Sequence, residues 1–77
     1  MNAALILYGG TPTRFPEKFE STSQKGLFYW TEYEVLAGCW VVYSQAEGFP
    51  ATEAFDDWFG YEKDAIEVAK KLAKGEL

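Results

Sequence analysis

The chain has 77 residues, 48% of them hydrophobic and 18% aromatic, with seven basic and twelve acidic side chains and a net charge of −5. That size allows one domain around one core, the composition is that of an ordered protein rather than a disordered one, and no apolar run approaches the roughly 18 residues of a membrane span. One cysteine and no histidine exclude an intramolecular disulfide, a cysteine-based metal site and the usual general base.

In chain order, the apolar run in NAALILY, closed by Gly9-Gly10, predicts a short buried strand within residues 1–10. Its start has no basic flank and does not read as a signal peptide. Residues 11–25, TPTRFPEKFESTSQKG up to Lys25, have two prolines and no period, which predicts a long loop or arm. Phe15 and Phe19 stand four apart and could pin it down, as one helical turn.

The segment 26–59 predicts a β-meander. Leu27, Tyr29, Thr31, Tyr33 and Val35 share one parity and Phe28, Trp30, Glu32, Glu34 and Leu36 the other, the period of a strand. Ala37-Gly38 reads as a two-residue turn pairing Leu36 with Cys39, Val35 with Trp40 and Tyr33 with Val42. Under that register the odd positions of the first strand, with Trp40 and Val42, form the core face. Trp30, Glu32, Glu34, Val41 and Tyr43 collect on the opposite face. Gly48 and Pro50 close the second strand, and ATEAFDDWF is either a third antiparallel strand, favoured by its rings, or a short helix capped by Thr52. Residues 61–74 predict an amphipathic helix with Ala65, Ile66, Ala69, Leu72 and Ala73 in one apolar stripe. Acids stand in its first turn, lysines in its last, and Gly75 follows as a left-handed stop. The expected fold is therefore α+β: one domain over 1–77, an antiparallel meander of three to four strands with one C-terminal helix packed on one face.

At YEV…GCWVVY followed by YEKDAIEVAKKLAKG the chain resembles a group of small bacterial and phage domains of uncharacterised function. These pair a hairpin carrying W-x-V with a helix of the form K-x-x-A-I-x-x-A-x-x-x-A. The resemblance covers roughly residues 30–75 and implies an architecture without implying chemistry.

No catalytic residue, cofactor or metal ligand emerges. Asp56-Asp57 or Glu32/Glu34 could pair as carboxylates, but adjacent strand residues point to opposite faces, which spoils the Asp56-Asp57 pair if that segment is a strand, and solvated acids that keep an aromatic sheet soluble are the simpler reading. Cys39 has no base or cation near it in sequence to lower its pKa, and a lone thiol fits a cytoplasmic protein. From Gly26 to Glu62 there are seven carboxylates and no basic residue. Rings on such a strand would stack bases, yet the acids repel phosphate, so direct nucleic-acid binding is disfavoured. The expected partner is a protein with a basic surface, met by Trp30, Glu32, Glu34, Tyr43, Glu53, Asp56 and Asp57, with aromatic anchors giving affinity and charge giving orientation. By analogy such a module is an inhibitor or adaptor, from a phage or a bacterium, acting on a nucleic-acid-handling protein. The alternatives are a small nucleic-acid-associated domain using the helix lysines (Lys63, Lys70, Lys71, Lys74) and a homo-oligomeric subunit, such as a homodimer, joined through an exposed Trp30/Tyr43 face.

Overall fold

The computed structural model describes residues 16–77, so the strand predicted within residues 1–10 lies outside the described residues, as do Phe15 and the first part of the arm. A four-stranded antiparallel sheet runs in the order β1 (Phe19–Glu20), β2 (Leu27–Glu34), β3 (Cys39–Ala46) and β4 (Thr52–Glu53). Among the described residues one helix, α1 (Glu62–Ala73), packs on one of its faces. This is the α+β meander-plus-helix that the periodicities predict.

The central hairpin keeps the predicted faces but not the predicted pairing. Glu34 stands opposite Cys39, Tyr33 opposite Trp40 and Thr31 opposite Val42, a shift of two residues. The connection is four residues long, Val35 to Gly38, and is closed by the Gly38 N–H donating to the Glu34 carbonyl at 2.8 Å. The reason lies in the backbone: a two-residue type I′ turn needs positive φ at both central positions. Gly38 adopts φ +69°, whereas Ala37 does not take that region, since its Cβ disfavours it. Because the shift is even, no side chain changes face.

Two short elements differ from expectation. Phe19 lies in a strand rather than in a helical turn: β1 pairs with β2 through Phe19–Tyr29 and Glu20–Phe28. The hydrogen bond from Ser21 N–H to the Leu27 carbonyl at 2.8 Å extends that pairing, and Phe19 packs against the core. The Ser21 hydroxyl accepts from the N–H groups of Ser23 and Gln24, a side-chain-built turn that returns the chain to β2. In 51–59 the strand reading holds for Thr52–Glu53 only. The chain then loops out and rejoins the sheet where Phe59 bridges Trp40, with N–H···O bonds of 2.7 and 2.9 Å in the two directions. Phe55 and Phe59, rings stacked 6.1 Å apart, both pack on the core, so their burial, rather than a continuous ladder, holds this segment.

The core follows from residue size. Val42, Ala65 and Ala69 are fully buried, and Phe19, Tyr29, Trp40, Phe55, Phe59, Val68 and Leu72 close around them. Ala65, Ala69 and Ala73 recur every fourth position and are the buried side chains of α1, so the helix backbone approaches the sheet closely while large rings fill the sides. The helix stops in a Schellman arrangement: Gly75, at φ +75°, donates to the Leu72 carbonyl and Glu76 to the Lys71 carbonyl. The Thr22 N–H donates to the Ala73 carbonyl at 2.8 Å, which ties the β1–β2 turn to the helix end.

The small stripe sets a test. Ala69→Leu should destabilise the fold by about 1–3 kcal/mol through overpacking, and Lys71→Leu, on the exposed side of the helix, by less than about 0.5 kcal/mol. Urea unfolding of both variants followed by circular dichroism checks this; equal losses would mean that the stripe is not a packing seam.

Candidate site on the sheet face opposite the helix

The even positions of β2 and odd positions of β3 carry Trp30, Glu32, Glu34, Val41 and Tyr43 to the face away from α1. Glu53 of β4 pairs with Tyr43 and joins the same face. The structure thus brings together five of the seven residues singled out from sequence. Asp56 and Asp57 are not among them: both are exposed on the loop between β4 and the Phe59 bridge.

Three ring donors meet three carboxylates on this face. The Trp30 indole Nε1–H donates to Glu32 Oε2 at 2.7 Å, the Tyr43 hydroxyl to Glu34 Oε2 at 2.6 Å, and the Trp58 Nε1–H to Glu53 Oε1 at 2.9 Å. Bonds to an ionised acceptor are shorter and stronger than neutral ones, so each acid is fixed in direction. Each ionised carboxylate has about four acceptor positions, so one bond leaves most of its capacity available. The Trp30 and Tyr43 rings stack at 6.1 Å with 26° between their planes, and the Lys18 ammonium sits 4.5 Å over the Trp30 ring, a cation–π contact.

One expectation is corrected here. Trp30 does not stand exposed as an anchor: only 4% of its surface is accessible, and Val41 beside it has none. An indole with a satisfied N–H, a stacked phenol and a covering ammonium stabilises the fold. The most accessible ring on this face among the described residues is Trp58, which is half exposed. Sequence reading passed over it, although a period of two about the Phe59 bridge, with Phe59 inward, places Trp58 outward. Lys18 was missed for a related reason: with its neighbour Phe19 read as part of an arm, no face could be assigned to it.

The protonation of Tyr43 is displaced. Its pKa is held well above the ordinary phenol value of about 10. The causes are partial burial first, then the hydrogen bond to Glu34, then the negative charges of Glu34, Glu32 and Glu53. All of these disfavour the phenolate.

Among the described residues no group of three or more metal-ligating side chains comes together, and no helix is long and apolar enough to cross a membrane. Cys39 is a free, half-buried thiol at the start of β3. Comparison with family models, curated proteins and solved structures finds no match.

Two outcomes are expected. Trp30→Ala should cost about 3–5 kcal/mol, the range of large buried aromatic deletions, whereas Trp58→Ala should cost about 1 kcal/mol or less; thermal and urea unfolding compare them. The second concerns pH. Tyr43 is protonated in both states below its unfolded pKa of about 10, so its contribution is complete there. Above that pH the unfolded chain releases the proton while the native state retains it, and stability falls. Tyr43→Phe should lose this part of the alkaline decline, measured as unfolding free energy between about pH 9 and 11.

Proposed function

We propose that the protein is a small, acidic, non-enzymatic interaction module that binds a basic surface of another protein. The supporting observation is the set of three carboxylates, Glu32, Glu34 and Glu53, each oriented by a ring donor on one sheet face. Acceptors held in place before binding lose less conformational freedom when a guanidinium or ammonium arrives. Arginine is the natural complement, because its planar fork matches a carboxylate through two parallel bonds. Trp58, half exposed beside Glu53, adds the kind of aromatic contact that interfaces favour. Its partner on this reading is a basic protein surface, of the kind found on nucleic-acid-handling proteins, and the role that of an inhibitor or adaptor. The lone thiol Cys39 suits a cytoplasmic setting. Burial of Trp30 removes the exposed ring on which self-association would have rested.

Replacing Glu32, Glu34 and Glu53 together by glutamine tests this reading. Glutamine keeps an oxygen for each ring donor and removes the charge, so the fold should persist. Immobilised parent protein should retain basic proteins from a bacterial lysate at low salt and release them at high salt. With a captured partner, the triple variant should associate about tenfold more slowly at low salt. Retention that the triple variant preserves, or that high salt does not weaken, would overturn the proposal.

A further inference from the structure

The helix begins at the end of the molecule where β2 turns into β3. Phe59 bridges Trp40, the second residue of β3, and Gly60 and Tyr61 lead from that bridge into α1. The other end of α1 is tied to the β1–β2 turn, at the far end of the sheet. Four of the six large hydrophobic side chains that stand exposed among the described residues belong to the first end. They are Val35 and Leu36 of the turn, Trp58 next to the bridge and Tyr61 before the helix.

Turn chemistry does not account for Val35 and Leu36. Turns draw on glycine, asparagine, aspartate and serine, and here Gly38 alone meets the conformational demand, at φ +69°. Leu36 is fully exposed, so it adds nothing to the core; its apolar surface stabilises something only when it is covered. The turn is nevertheless held in one shape. Gly38 N–H donates to the Glu34 carbonyl at 2.8 Å, and beside it the Tyr33 and Trp40 rings meet edge to face at 5.3 Å. A loop held in this way loses little freedom on docking.

Charge selects what would cover it. Glu34 precedes the turn, Asp56 and Asp57 stand on the loop that leads to the bridge, and Glu62 and Asp64 open the helix, with Lys63 the one base among them. A second copy meeting this end about a two-fold axis would bring two such sets of acids together, and anionic lipid would be repelled in the same way. We propose that this tip docks a basic amphipathic segment of the partner protein. The segment's apolar side chains cover Leu36, Val35 and Tyr61, and its arginines or lysines face the acids. The inference rests on the reading of the protein as a module for a basic partner, and adds to it an apolar anchor outside the carboxylate array.

The probe is a synthetic amphipathic peptide with leucine on one face and arginine on the other, titrated into the isotope-labelled full chain and followed by NMR. Saturable shifts are expected at Val35, Leu36, Gly38 and Tyr61. Leu36→Ser should weaken binding about tenfold, as loss of one covered leucine does, without moving the urea midpoint. Replacing the peptide's leucines by serine should weaken it at least as much. If the peptide does not bind, or if neither change matters, tip docking is overturned while the reading of the carboxylate array stands on its own test. If the peptide keeps its affinity after its arginines become glutamine, the basic-partner reading fails and this one with it. Shifts at the same residues that grow with protein concentration alone would assign the tip to a second copy, and shifts with phosphatidylglycerol vesicles to a lipid surface; either overturns the proposal. So would a Leu36 amide that a soluble paramagnetic agent fails to broaden in the free full chain, because another part of the chain would then cover it.

Discussion

The pairing of β2 with β3 is the constraint on which the other features rest. Eight residues of each strand align from Leu27–Ala46 to Glu34–Cys39, and a slip by one would exchange the two faces of the sheet. Gly38 holds the register by taking the left-handed conformation at the close of a four-residue turn. With that parity set, Val42 meets the small residues of α1 on one side, and Trp30 and Tyr43 meet on the other. Neither the core nor the carboxylate array exists in the alternative register.

The two faces solve different problems. The helix face is closed by shape: alanines admit the helix, and rings from β1, β3 and the 54–59 segment fill the margins. The other face is closed by polarity. Its indole and phenol groups would leave unsatisfied donors if buried against apolar neighbours, at a cost of about 1–3 kcal/mol each; the glutamates accept those donors instead. The acids are therefore structural and chemical at once, and their negative charge remains at the surface after their bonding role has been met. This arrangement explains how a chain of net charge −5 carries half of its rings on a small sheet.

Much of the fold was legible because two periodicities are strong. Alternation in 27–34 marks a strand and its faces, and the alanine stripe with its terminal glycine marks the helix; the structure starts and stops the helix one residue inside the predicted limits. The turn was misread because Ala37-Gly38 resembles a two-residue loop until the φ demanded of alanine is considered. β1 was missed because Phe19–Glu20 is too short to show a period, and it is fixed by partners far along the chain. Parity alone places side chains on a face and does not tell whether that face is covered. That is why Glu32, Glu34 and Tyr43 were grouped correctly while Trp30 was taken as exposed. Asp56 and Asp57 followed from composition, and no geometry links them to the group.

The two ends of α1 are held unequally. Its C-terminal end has a left-handed glycine, the Schellman pair of bonds to the Leu72 and Lys71 carbonyls, and a bond to the β1–β2 turn. Its first turn starts after Tyr61, whose side chain makes no capping bond, although acids at Glu62 and Asp64 favour the helix start. An uncapped start opens more readily than a stapled end, so opening of the helix would begin at its first turn rather than at Ala73. The low-protection end adjoins the loop that carries Asp56, Asp57 and the half-exposed Trp58. Phe55 and Phe59, packed on the core to either side of that loop, limit how far it could follow an opening of the helix start.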